Sequence, residues 1–259
     1  TFDDKKKRID KKYALYRRSL SDRPDFFGAP SLNTRKNTFI ALYQLRYPFD
    51  YFTSLRASLT YRTDNFFDLV TDEESFDNPA IRAQRLGLKL EYIYDSSFDV
   101  EVNIKNGMRY KVYAEFVNRF QFSTNPNLQF RPSEGFMTIL GVDARHYLPI
   151  GRYGIWANRI SAGTNFGSER ILYYLGGVES WLLPTFEMDT PTPANNYAFT
   201  TIAPNLRGFN YNSRNGTSFA LFNSEIRLPI FNMISSGRIR YKFIRNFQFT
   251  AFFDAGAAW

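Results

Sequence analysis

The 259-residue chain contains no cysteine and only one histidine, His146. The first absence excludes a disulfide framework and thiolate metal sites, and it suits an oxidising compartment in which an unpaired thiol is a liability. The second leaves a histidine-based triad or a multi-histidine metal centre nothing to build on. No stretch approaches the roughly 18 consecutive apolar residues that a membrane-crossing helix requires, so a helical membrane protein is excluded. A glycine-rich phosphate loop and an EF-hand-like ligand run are also lacking, and no cofactor or metal is expected. The opening run "TFDDKKKRIDKKYALYRR" is basic without an apolar centre, so it is not a signal peptide, and a secretion signal is expected upstream of Thr1.

Aromatic residues are abundant: 27 Phe and 17 Tyr, against charged residues at only 22%. Such side chains favour strands. From about residue 38 the sequence alternates apolar and polar residues in runs of about ten, the period of a strand. In "QRLGLKLEYIYD" (84–95), Leu86, Leu88, Leu90, Tyr92 and Tyr94 oppose Arg85, Gly87, Lys89, Glu91 and Asp95, with Ile93 out of place. The run 107–122 sets Met108, Val112 and Phe116 against Arg109, Lys111 and Glu115. The run 136–150 sets Phe136, Leu140 and Val142 against Gly141, Asp143 and Arg145. Strands are predicted over 38–49, 51–64, 84–95, 107–122, 136–150, 153–166, 217–231 and 246–259, with one more near 13–20. Residues 48–52, 104–107 and 149–154 read as tight turns, and 63–83, 123–135 and 167–216 as long polar loops.

A soluble β-sandwich also alternates, so periodicity alone does not decide. Its solvent face is normally rich in Lys, Ser and Thr, and its strands are short. Here the polar face carries paired Arg and Glu or Asp on strands of about ten residues or more, with tight turns at one end and long loops at the other. That layout predicts an all-β fold, an antiparallel transmembrane β-barrel whose apolar face meets lipid and whose polar face lines a watery lumen. The predicted lumen lining is Arg85, Lys89, Glu91, Arg109, Glu115, Asp143, Arg145, Arg159, Asn223 and Arg227. Phe and Tyr cluster near the strand ends, where an interfacial girdle would lie.

Three segments in order, "LRGF" (206–209), "SEIRLPIF" (224–231) and "FFDAGAAW" (252–259), resemble the C-terminal barrel of the surface-antigen superfamily. Its members are the Bam/Tam-type outer-membrane insertases and two-partner-secretion translocators of Gram-negative bacteria. "RLGLKLEYIYD" and "VDARHYLPI" also resemble strands of that barrel, extending the likeness over roughly 84–259. The resemblance implies about eight or nine strands here of roughly sixteen, with about three more after "FFDAG". It also implies that the long loop folds into the lumen, where Arg207 meets Glu225 and Asp254. Gly208 would let the backbone approach the wall, and Phe209 would pack on lumenal rings such as Phe252. The Pro/Thr-rich loop, "GGVESW" and "RNGTSFALFNSE" look most like barrels fused to a periplasmic Tol-type β-propeller. The chain is read as a single outer-membrane barrel domain over 1–259, with 1–37 a poorly defined first strand and loop.

The function implied by the resemblance is non-enzymatic: assisting proteins into or across the outer membrane, by thinning the bilayer and opening a lateral seam. A structural anchor for a periplasmic propeller is the alternative, and a passive porin a third reading. Expected partners are the lipid bilayer, lipopolysaccharide and protein partners or clients. The formal charge of +8 does not indicate nucleic acid, because the strand arginines alternate with apolar residues instead of forming a patch. His146 falls on the apolar side by parity, and is read as an interfacial residue beside a short turn rather than part of a lipid-facing hydrolase.

Overall fold

The period-two runs form long strands in the computed structural model, which describes residues 1–4, 8–21, 34–68, 81–123, 129–178, 185–192, 197–234 and 241–259. In chain order the strands are β1 (Phe2–Asp4), β2 (Asp10–Ser21), β3 (Thr34–Pro48), β4 (Thr53–Asp68), β5 (Ile81–Asp95), β6 (Phe98–Glu101) and β7 (Ile104–Ser123). They continue with β8 (Gln129–Ile150), β9 (Gly154–Gly167), β10 (Arg170–Leu175), β11 (Tyr197–Ile202), β12 (Arg214–Gly216), β13 (Ser218–Leu228) and β14 (Phe249–Ala258). Two short helices, α1 (Ile230–Ile234) and α2 (Lys242–Arg245), lie between β13 and β14. Among the described residues no helix is long and apolar enough to cross a membrane.

The pairing order of the main sheet is β1-β2-β3-β4-β5-β7-β8-β9-β13-β14, with β6 added onto β7. Among the described residues it is an open path, and no ladder joins β14 to β1. β2 pairs antiparallel with β3 from Asp10 opposite Arg46 to Ser21 opposite Arg35, so the first strand is longer than the one predicted near 13–20. β13 lies between β9 and β14, with Glu225 opposite both Ala157 and Phe252 and with Asn223 opposite Asp254.

The structure departs from the sequence-based expectations at several places. β4 runs to Asp68 and β8 starts at Gln129, so the predicted loops over 63–83 and 123–135 are shorter; 69–80 and 124–128 lie outside the described residues. The tight turn expected at 104–107 sits at Val102 and Asn103, because β6 and the start of β7 continue as a small hairpin beyond the sheet. The asparagine side chain tolerates the left-handed backbone adopted there (Asn103, φ 59°). β13 stops at Leu228 instead of 231, since Pro229 has no N–H to donate to a ladder. The region 167–216 is not simply loop: β10 pairs parallel with β11 and antiparallel with β12, forming a three-stranded sheet. That parallel pair, with the isolated parallel bridge between Phe186 and Tyr211, departs from the all-antiparallel prediction.

The chain divides into two compact units. The first comprises Thr1–Pro48, Arg56–Leu90 and Glu115–Thr138, and the second Phe49–Leu55, Glu91–Ala114 and Ile139–Trp259. In the first unit the usual relation of polarity to exposure is reversed. On β5, Leu88 is 44% exposed, and Leu86 and Leu90 are alike, while Arg85, on the opposite face just before them, is 6% exposed. Leu59 on β4 alternates in the same way with buried Ser58. In the second unit Trp156, Ile160, Phe222 and Ile226 are exposed, and Asp143, Arg159, Glu225 and Arg227 lie on the opposite faces of their strands.

The second unit also holds an apolar core, but it lies on the polar side of the strands. Leu172, Tyr173 and Leu175 of β10 pack with Phe219 and Leu221 at the loop end of β13, and the Tyr173 and Phe219 rings meet edge to face at 4.9 Å. At the other end, Phe52, Tyr92, Tyr94 and Tyr110 cluster beside the short turns, with Tyr94 stacked on Tyr110 at 5.1 Å. The β3–β4 turn is closed by Asp50, whose carboxylate accepts the Phe52 and Thr53 amides at 2.7 and 2.6 Å. Those bonds hold the carboxyl below its ordinary range.

Candidate functional site

The approach of Arg207 to the β13–β14 wall is set by a two-residue turn. Leu206 donates its N–H to Gly177 O at 3.1 Å, and Gly177 donates to Phe209 O at 2.9 Å, so Arg207 and Gly208 form the bend between two backbone anchors. Gly208 has φ 86°, which favours glycine at the third position of such a turn. A Cβ at that position would meet nothing within 4 Å. The glycine is therefore needed for backbone conformation and not, as expected from the sequence, for a close approach.

From that bend the Arg207 guanidinium reaches both predicted carboxylates. Its Nε and Nη2 donate to the two oxygens of Asp254 at 2.7 and 2.8 Å, and its backbone N–H donates to Asp254 at 3.0 Å. Nη1 donates to Glu225 Oε2. The planar fork presents parallel donors, so the Asp254 contact is bidentate, a geometry that a lysine ammonium cannot copy.

The register explains the convergence: Glu225 stands across from Phe252, and Asp254 two residues along the same face of β14. The guanidinium lies over the Phe252 ring, 3.9 Å from its centre, in the position expected for Phe209; Phe209 itself is half exposed. Asp254 is 1% exposed and Arg207 23%. Asn223 adds a further tie to the loop by donating to Asn205 O at 3.1 Å.

Glu225 serves a second arginine. Arg227 Nε donates to Glu225 Oε1 at 2.5 Å, while its Nη1 donates to Asn103 O, at the tip of the β6–β7 hairpin, at 2.6 Å. Gln248 Nε2 donates to Val102 O at 2.6 Å, and Asn232 Nδ2 to Glu101 Oε2 at 3.2 Å. The hairpin is thus bound to the β13–β14 connection. Asp143 on β8 accepts from Arg145 Nε at 3.0 Å and from Arg159 Nε at 3.1 Å. Arg145, Arg159, Arg207, Asn223, Glu225 and Arg227 border one cavity of about 220 Å³. Arg109 stands apart on an exposed pair with Asp95 at 3.4 Å, and Glu91 is buried.

In the first unit Lys89 pairs with Glu115 at 3.8 Å, and Arg85 reaches Asp64 at 3.4 Å. Asp64 is the buried hub of that unit: 1% exposed, it accepts from the Thr38 hydroxyl at 2.6 Å and from Arg62 at 2.8 Å, with Lys36 at 3.8 Å. It was missed as a site residue although it ends the predicted strand 51–64 and shares parity with Arg62, because the predicted loop 63–83 overlapped that strand end. Asn165 was missed too. Buried at the root of the long loop, it donates to Ile171 O and Thr217 O at 2.9 and 2.8 Å and accepts from Ile171 N–H at 2.8 Å. A lone Asn late in a strand offers no sequence signal for that role. Among the described residues no three His, Asp or Glu side chains gather as metal ligands.

No family model and no curated protein matches the chain. Among solved structures it is similar to BamA from Haemophilus ducreyi, in a crystal structure lacking POTRA domains 1-3, with a TM-score of 0.56 and 14% sequence identity. The match covers 97% of this chain and 46% of that one, so the chain spans just under half the length of the BamA structure. At that identity the likeness is one of fold: the chain has the antiparallel sheet architecture of a Bam-type barrel.

Proposed function

We propose that the chain is the wall and inward-folded loop of an outer-membrane barrel that assists proteins into or across that membrane, without chemistry of its own. The observation that carries the reading is the inverted sheet: leucines and aromatics exposed, arginine–carboxylate pairs buried or half-buried on the other face. In water a contiguous apolar face of that kind is an aggregation liability, whereas in a bilayer it is the face that meets lipid. Likeness in fold to a BamA barrel supports the same reading. Closure of the sheet with further strands to about sixteen belongs to the proposal, because a membrane-spanning sheet cannot leave an edge unpaired in lipid.

On this reading the polar faces line a lumen, and Arg207, Glu225 and Asp254 hold the long loop inside it. Lipid, lipopolysaccharide and client proteins are the partners. The finer placement, with barrels fused to a Tol-type propeller, rests on "GGVESW" and "RNGTSFALFNSE" and is tested by reading the coding sequence upstream of Thr1. The function is tested by depletion. Loss of many unrelated barrels from the outer membrane supports assisted insertion, and an unchanged outer-membrane proteome refutes it.

A further inference from the structure

Between Glu225 and Asp254 the sequence holds no acid, but it holds Arg227, Arg238, Arg240, Lys242 and Arg245. The described parts of the same stretch expose large apolar side chains: Ile234 is 77% and Phe243 83% exposed, with Met233 and Tyr241 also open. Asn232 and Gln248 bond the β6–β7 hairpin, and Phe231 meets Phe247 edge to face at 5.6 Å, tying α1 to the residues after α2. The stretch is therefore tied to its own unit through Phe231, Asn232, Phe247 and Gln248, while Met233, Ile234, Tyr241 and Phe243 stay exposed.

Its place in the sheet says what could cover that side. Arg227 pairs with Ile155, just after the short 151–153 turn, so α1 and α2 lie at the short-turn end of β9 and β13. The exposed faces of these strands, Ile160 on β9 and Phe222 and Ile226 on β13, lead along the chain into α1. The exposed apolar residues of the strands are thus followed in the chain by a segment that is apolar and, in sequence, basic. Segments of that composition settle at a lipid headgroup boundary, where anionic phosphate meets the basic side chains and the aliphatic and aromatic groups enter the upper acyl region.

We infer that α1 and α2, with Tyr241 and Phe247, dock on the surface of an anionic phospholipid leaflet at the short-turn end of the sheet. The inference rests on the membrane-barrel reading proposed above. The docked segment fixes the depth at which β13 and β14 sit in the bilayer and, through Asn232 and Gln248, holds the β6–β7 hairpin at the same level.

The cysteine-free chain permits a clean test. Ile234→Cys and Phe243→Cys, labelled with an environment-sensitive fluorophore, are compared with Ile160→Cys on the exposed strand face after refolding into phosphatidylcholine vesicles with and without phosphatidylglycerol. The expected result is that quenching of the 234 and 243 labels by acrylamide, a neutral quencher whose surface concentration does not depend on membrane charge, falls about five-fold more in the anionic vesicles, and that high salt or Lys242→Gln/Arg245→Gln reverses the difference. Labels at 234 and 243 open to acrylamide in both vesicles, with the 160 label protected, would overturn the docking while leaving the barrel intact. Equal protection in both vesicles would overturn the anionic assignment, and all three labels open to acrylamide would overturn the docking together with the membrane reading.

Discussion

Arg207→Ala removes two of the three hydrogen bonds that Arg207 gives Asp254, and its bond to Glu225. It leaves a carboxylate that is 1% exposed in the native state. An uncompensated charge at that depth costs about 3 to 5 kcal/mol. The loop can lift and let water reach Asp254, so the loss is expected to emerge as loop release, at about 3 kcal/mol, a roughly hundred-fold rise in the open population. Asp254→Ala is expected to cost less, because Arg207 keeps Glu225 and is partly solvated. Cleavage by added protease within 197–206 reads the open population directly when closing is faster than cutting. In the double variant the loss should be little greater than in Arg207→Ala alone, since both changes break one contact. Arg207→Lys should recover less than half of the protection, for want of the fork. Strictly additive losses, or full rescue by lysine, would refute the account.

Three further outcomes follow from the geometry. Leu88→Arg, at the middle of the 15-residue β5, should cost about 2 to 4 kcal/mol in vesicle-supported urea unfolding and Tyr94→Arg at its end no more than about 1; equal costs would argue against a lipid-facing surface. Gly141→Ala drives a Cβ into the Tyr113 ring that lies over it, and should lose about 1 to 3 kcal/mol, regained when Tyr113→Ser is added; no regain would mean the strain lies elsewhere. Asn165→Ala leaves Ile171 and Thr217 backbone groups without partners at the root of the loop, and should lose about 2 to 4 kcal/mol in the same assay, with Asn165→Asp no better because it cannot donate.

Strand alternation was legible because exposure on one face and ion pairing on the other both act at period two: Leu86, Leu88 and Leu90 against Arg85 and Lys89 could be read directly. The bonding of Arg207 to Glu225 and Asp254 was legible through resemblance and parity together, since parity placed both acids on one face but could not bring a loop to them. The small sheet within 167–216 was not legible, because its strands are short and one pairing is parallel. There was nevertheless a signal. Phe219 and Leu221 are apolar at positions whose parity puts them with Asn223 and Glu225, and an apolar pair on a polar face requires a cover, which β10 supplies. Strand ends were misplaced where polar residues continue the ladder, as between Asp64 and Asp68, since polarity near a turn reads as loop whichever way the side chain points.

Glu225 gives one oxygen to Arg207 of the long loop and the other to Arg227 Nε, while Arg227 Nη1 reaches Asn103 at the tip of the β6–β7 hairpin. Two segments that meet the wall from different parts of the chain thus compete for, or reinforce, a single carboxylate. Thermodynamic linkage makes that relation reciprocal: whatever fraction of its stability the hairpin lends the loop, the loop returns to the hairpin. Separating Asn103 from Arg227 would free that guanidinium to move around Glu225 and alter the field that Arg207 meets there, so an event at one segment would be registered at the other without any movement of the strands between them.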